Sequence, residues 1–173
     1  MKKILETERL LLRELTIDDA SDLAEVLTDP ESMRFYPAPF DSGRVVAWIR
    51  WCIDSYRQYG YGLWAVVLRQ TNECIGDCGI SMQKIDGESV PEIGYHIKLR
   101  HCRRGYATEA AIAVKEYGFA TFGFDRIISY MNPKNVASRR VAEKNGMTFV
   151  REFEKNGMPE VLYEIRSGAK PRP

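Results

Sequence analysis

The residues best suited to chemistry in this chain form the stretch Arg100-His101-Cys102-Arg103-Arg104-Gly105-Tyr106-Ala107-Thr108-Glu109-Ala110. It holds four basic side chains and a single glycine. A short alternating segment, Glu92 to Leu99, leads into it, and an apolar-periodic segment, Thr108 to Phe122, leaves it. A strand feeding a helix through such a turn leaves the first helical amides without intrahelical acceptors, at the electropositive end of the aligned peptide dipoles. That is an anion seat, and a diphosphate suits it. The same residues also suit a capped helix start with solvated arginines, so the turn alone leaves both readings open.

The elements around this turn follow from side-chain periodicity. Alternation over Glu92–Leu99 puts Ile93, Tyr95, Ile97 and Leu99 on one face and Glu92, Gly94, His96 and Lys98 on the other. Upstream, Leu10–Leu12 reads as a strand, and Thr16-Ile17-Asp18-Asp19 as the start of a helix to about Leu27. A loop with Phe35, Tyr36, Pro37, Pro39 and Phe40 follows; Asp41 or Ser42 then caps a helix to about Tyr59. Leu63–Leu68 and Cys74–Ile85 read as strands joined by a polar turn. Downstream, Arg126–Met131 is a strand, and a helix follows Asn135 and stops at Asn145-Gly146. Thr148–Glu154 and Glu160–Arg166 form a hairpin across Lys155-Asn156-Gly157. The expected fold is α/β (α+β): a mixed, mostly antiparallel sheet of about seven strands flanked by about four helices, with one parallel crossover. Residues 1–173 read as a single domain, with a frayed tail over 167–173.

Composition narrows the function classes. The 25 basic and 24 acidic residues nearly cancel, which argues against a dedicated nucleic-acid or membrane-surface binder. No apolar run is long enough to cross a bilayer, and the start, Met1-Lys2-Lys3-Ile4-Leu5-Glu6, lacks the apolar core of an export signal. The spacing of Cys52, Cys74, Cys78 and Cys102 fits no zinc pattern, so no metal is expected and reduced thiols in a cytoplasmic protein are the natural reading.

The run Ile93-Gly94-Tyr95…Arg103-Arg104-Gly105-Tyr106-Ala107-Thr108-Glu109-Ala110, followed by Asn135-Val136-Ala137-Ser138 and Val141-Ala142-Glu143-Lys144-Asn145-Gly146-Met147, resembles the GNAT superfamily of acetyl-CoA-dependent N-acetyltransferases. Thr7-Glu8-Arg9-Leu10-Leu11-Leu12-Arg13, Cys74-Ile75-Gly76 and Cys78-Gly79 resemble the branch that holds the ribosomal-protein N-terminal acetyltransferases and many small-molecule acetyltransferases. The family's phosphate signature is Gln or Arg, two residues, Gly, one residue, then Gly or Ala. Gly105 and Ala107 match its last anchors, and Cys102 departs from the first. The resemblance implies acetyl-CoA as cosubstrate, its diphosphate on the amides of Arg103, Arg104, Gly105, Ala107 and Thr108 in the turn that includes Tyr106. It also implies that the strand before the turn carries a bulge and diverges from its neighbour, with the pantetheine arm in the gap against Ile97. Asn135 would bond that arm.

Acetyl transfer to an amine needs a neutral amine, a stabilised oxyanion and a proton for the departing thiolate. Many relatives supply the proton from a Tyr seven residues after the Asn; that place holds Ala142. Ser138 matches a serine common in this branch and would donate to sulfur or relay through water. For the base, the resemblance points to Glu92, with His96 on the same strand face as one alternative and the free amine supplied by water or pH, with no protein base, as another. The acceptor, a protein N-terminus or a small amine, would enter beside Phe35, Tyr36 and Phe40. A homodimer is compatible with the resemblance. The competing function is a non-catalytic coenzyme A-binding sensor or assembly module.

Overall fold

Alternating side chains drive the first half of the chain into a meander. The computed structural model describes residues 2–168. Strands β1 (Lys3–Glu6), β2 (Leu10–Arg13), β3 (Leu63–Leu68), β4 (Cys74–Ile85) and β5 (Glu88–Ile97) are antiparallel neighbours in that order. Helices α1 (Ala20–Leu27) and α2 (Ser42–Tyr59) lie between β2 and β3 in the chain. Helix α3 (Tyr106–Phe122) then carries the chain to β6 (Arg126–Met131), which is parallel to β5. After α4 (Val136–Lys144) the hairpin of β7 (Thr148–Lys155) and β8 (Met158–Arg166) completes an eight-stranded sheet, with β8 next to β6 and β7 at the edge. The described residues form one domain of the expected class, with one strand more than expected. That strand, β1, has too few residues and too many charges to show a period, which suits a short edge strand.

Each face of the sheet has its own core. On one side α3 and α4 place Ala110, Ala111, Val114 and Ala142 against Trp64, Val66, Ile80 and Ile93. On the other α1 and α2 place Leu23, Leu27, Val45, Ile49 and Cys52 against Leu63, Ala65 and Val67. Burying each large apolar side chain contributes about 1.5–3 kcal/mol. Local signals work as read: Asp41 accepts the Arg44 N–H at 2.8 Å to cap α2, and Asn156-Gly157, with φ of 53° and 77°, makes the two-residue hairpin turn.

One expectation is corrected. β5 ends at Ile97, and Leu99 opens a 3₁₀ turn (Leu99–His101) with 46% of its surface exposed, so it does not share the apolar face. Lys98 is 1% exposed; its ammonium bonds Asp22 (2.7 Å) and Glu25 (2.9 Å) and ties β5 to α1. The Ser167 N–H donates to the Asp125 carbonyl; of the tail expected to fray, residues 169–173 lie outside the described residues. Among the described residues no helix is long and apolar enough to cross a membrane.

Candidate active site

The turn between β5 and α3 is built for close approach to its backbone. Arg103 and Gly105 both have left-handed φ, 63° and 84°. Turns of this kind aim successive N–H groups to one side, and a Cβ at Gly105 would stand 3.4 Å from Arg9 Nη2. The turn is braced from a distant stretch. Glu109 accepts from the Thr7 hydroxyl (2.5 Å), the Arg9 N–H (3.0 Å) and Arg9 Nε (2.7 Å). Arg9 Nη1 also donates to the Arg104 carbonyl at 3.0 Å, and the guanidinium lies 4.5 Å from the Tyr106 ring centroid. Burial raises the Glu109 carboxyl, but the Thr7 and Arg9 bonds outweigh it and hold the pKa below the usual carboxylate value. Two of the four basic side chains are committed elsewhere: Arg100 pairs with Glu25 and Glu73, and His101 with Glu73 at 3.0 Å. Arg103 and Arg104 remain exposed at the turn. A groove of about 510 Å³ adjoins it, lined by Thr7, Glu8, Gly105, Thr108, Ile112 and Lys144 among others.

Beside the turn the sheet splits. β5 and β6 share a single register pair, Glu92 with Ile128, and Ser129 Oγ donates to the Ile93 carbonyl at 2.8 Å. Beyond this point the strands part. The expected divergence is present, but the expected bulge in β5 is not: its register against β4 is unbroken from Glu88 to Ile97. The irregularity lies in β4 instead, at Ile75. Gly76 follows it with φ of +150°, and a Cβ there would stand 1.9 Å from the His96 carbonyl oxygen. Only glycine lets β4 approach Ile97 this closely.

On the α3/α4 side of the split, Asn135 Oδ1 accepts the Ser138 N–H at 3.1 Å and so caps α4. The Tyr95 hydroxyl donates to the Ser138 carbonyl at 3.1 Å, tying α4 to β5. Ala142 is buried in the core at 2% exposure, so its position supplies no acid.

The α1/α2 side carries the polar groups of β4 and β5. Asp77, fully buried, lies opposite His96 in the register, and its Oδ1 is 2.8 Å from His96 Nδ1. Trp48 Nε1 donates to Asp77 Oδ2 at 2.8 Å. His96 Nε2 lies 2.8 Å from the hydroxyl of Tyr36. Burial lowers the His96 pKa, but the Asp77 charge and hydrogen bond reverse this and raise it above the ordinary histidine value. Four residues back along β5, Glu92 accepts from Ser81 Oγ at 3.1 Å. Burial pushes its pKa up to about 7, against the Ser81 bond and the Lys155 charge. Lys155 reaches in from β7, donating to Gln83 Oε1 at 2.7 Å and lying 4.5 Å from the Tyr130 ring centroid.

An acetyltransferase (GNAT) domain model matches residues 9–148, most of the chain. The chain belongs to the GNAT acetyltransferases. It is similar to Uncharacterized protein YkkB of Bacillus subtilis, 37% identical over 96% of this chain and 97% of that one. Among solved structures, an acetyltransferase from Agrobacterium tumefaciens superposes with a TM-score of 0.84 at 28% identity, covering 96% of this chain and 95% of that one. RimL, a ribosomal L7/L12 alpha-N-protein acetyltransferase solved with coenzyme A, shares the fold, with a TM-score of 0.78 at 17% identity and coverage of 95% and 98%.

Within this GNAT fold the sequence-selected residues fall on neighbouring elements. Arg103 to Gly105 form the turn, Tyr106 to Thr108 start α3, Ile97 ends β5, and Asn135 and Ser138 lie at the start of α4, which Tyr95 ties to β5. Glu92 and His96 share the α1/α2 face. Of the loop aromatics, Tyr36 reaches His96, and Phe40 packs edge-on against Trp48 at 5.9 Å. Phe35 instead lies half-buried under the Arg34 guanidinium, 4.8 Å from its ring centroid. Sequence reasoning missed Asp77, Trp48 and the role of Tyr95. A lone carboxylate inside the apolar strand Cys74–Ile80 was the available signal for Asp77.

Proposed function

We propose that this GNAT chain transfers the acetyl group of acetyl-CoA to a primary amine, a protein N-terminus or a small amine, by direct attack in a ternary complex. The observation that carries the reading is continuity: the braced turn opens onto the split between β5 and β6, and the split joins two chemically different faces. The amides of Arg103, Arg104, Gly105, Ala107 and Thr108 would hold the diphosphate, with Arg103 and Arg104 adding charge. Ile97 and Asn135 would flank the pantetheine arm. Coenzyme A brings the activated thioester; the chain supplies position and proton handling.

On the α3/α4 side, Ser138 stands at the N-terminus of α4, where a hydroxyl and a helix dipole both favour a departing thiolate. On the α1/α2 side, Glu92 and His96 lie where an incoming ammonium must lose its proton. In this reading proton uptake falls on the α1/α2 side and the departing thiolate meets Ser138 on the α3/α4 side. The buried Ala142 in place of a tyrosine favours one rival, a coenzyme-binding module without turnover.

The coenzyme site has a direct test. Gly105→Asp adds a negative charge to the turn, at a left-handed φ of 84° and with its Cβ 3.4 Å from Arg9 Nη2. Calorimetry should show coenzyme A affinity falling by about 100-fold or more, while far-UV circular dichroism is unchanged. Equal affinity in the variant would refute the seat.

A further inference from the structure

Asp77, His96 and Tyr36 form a continuous hydrogen-bonded line from the buried interior of the sheet to the partly exposed aromatic loop. Asp77 has both carboxylate oxygens engaged, Oδ1 by His96 and Oδ2 by the Trp48 indole, at 2.8 Å each. Its carboxylate therefore cannot turn away from the imidazole without leaving Trp48 unpaired in a buried site. An ionised carboxylate only accepts, so His96 carries a proton on Nδ1, and in its neutral form the free lone pair is on Nε2. That nitrogen faces the Tyr36 hydroxyl at 2.8 Å. Tyr36 as a residue is 44% exposed, so its side chain joins the imidazole to the partly exposed aromatic loop.

We infer that His96 accepts the proton of the incoming ammonium, that Tyr36 passes it on, and that Asp77 is the positioning residue that fixes the imidazole's tautomer. The inference rests on the acetyl-transfer reading and deepens it. The ammonium gives one proton to Tyr36 Oη as the phenolic proton moves to His96 Nε2. The freed pair on nitrogen forms the C–N bond at the thioester carbonyl; the C–S bond then breaks and its pair leaves on sulfur. A second N–H proton leaves the adduct and ends on sulfur. The products are the N-acetylamine, the coenzyme thiol and an imidazolium that returns its proton to solvent.

Placement favours His96 over Glu92. Glu92 stands at the closed end of the split, where β5 still pairs with Ile128 of β6. His96 stands past the divergence and adjoins Ile97. The titratable groups facing His96 are Asp77 from β4, Tyr36 from the loop and Glu92 from its own strand; Trp48 from α2 is uncharged and edge-on at 5.9 Å. With Asp77 dominating, the imidazole is a stronger base than a free histidine.

The chain has only two histidines, so imidazole nitrogen NMR can follow His96 directly, its signal identified by loss in His96→Gln. In the wild type it should titrate above the ordinary histidine value, with the neutral form protonated on Nδ1. Asp77→Asn should move that titration to lower pH and cut kcat about 10- to 100-fold, with the KM for acetyl-CoA within about twofold. Trp48→Phe removes a donor from Asp77 and should move the titration the other way, a second reading should Asp77→Asn misfold. With spermidine, glucosamine or a short peptide as acceptor, His96→Gln should lose about 10²–10³-fold in kcat, and Tyr36→Phe about tenfold. A His96→Gln enzyme at wild-type rate, or a His96 titration that neither Asp77→Asn nor Trp48→Phe moves, would overturn the relay. A wild type that releases no thiol with any of these amines overturns the acetyl-transfer reading, and the relay falls with it.

Discussion

Glu92 carries the clearest electrostatic cost in the protein. Burial pushes its carboxyl from 4.5 to about 7, so between those values the folded chain holds a proton that the unfolded chain has lost. A group that binds more protons folded than unfolded makes stability fall as pH rises, and the loss is complete once pH exceeds the folded pKa. Glu92→Gln keeps the shape and removes the titration. It should stabilise the fold by roughly 2 kcal/mol at pH 8 and by almost nothing at pH 4, read by urea unfolding at both. Such a cost fits a residue kept for the site rather than for the fold. Glu92 and His96 were legible as a pair because strand alternation alone puts them on one face. Asp77 was not paired with His96 in that reading, since only the β4–β5 register sets the two opposite each other. Lys98 lies on the face that alternation gave it, but alternation says nothing of the two α1 carboxylates waiting there.

At the scale of elements, the stretch Thr7–Arg9 acts as a strut for the start of α3. Its contacts to Glu109 span about a hundred residues of chain and fix the turn through the Arg104 carbonyl. The depressed Glu109 pKa means that this carboxylate stabilises the fold above its unfolded value and loses that contribution as pH falls through the folded one. Glu109→Gln weakens a charged acceptor of three bonds. It should cost about 1–2 kcal/mol at pH 7 by urea unfolding. It should also raise the KM for acetyl-CoA about fivefold with little change in kcat, because a looser turn binds the diphosphate less well in ground and transition states alike. The elements themselves were largely legible. Caps at Asp41 and Asn135, the stop at Gly146 and the turn at Asn156-Gly157 all act locally, within the few residues a sequence window sees. The strut and the shift of the bulge from β5 to Ile75 of β4 depend on partners far along the chain, and no local pattern encodes them.

For the whole molecule, the sheet is both scaffold and partition. Helices α1 and α2 with the aromatic loop cover one face, α3 and α4 cover the other, and the sheet opens where β5 leaves β6. The parallel pair could be anticipated, since strand–helix–strand after Pro91 demands a crossover. The width and lining of the split could not, because they arise from strands parting rather than from any residue pattern. The proposed function makes a direct claim: a thioester held in the split gives its acetyl group to an amine and releases the coenzyme thiol. Thiol release from acetyl-CoA, followed continuously across polyamines, amino sugars, amino acids and peptide N-termini, tests it most directly. The account predicts release that depends on one class of amine, stoichiometric with an N-acetylated product, and abolished by Gly105→Asp. Tight coenzyme A binding with no amine-dependent release above the blank, across the whole set, would contradict it and leave a binding module in its place.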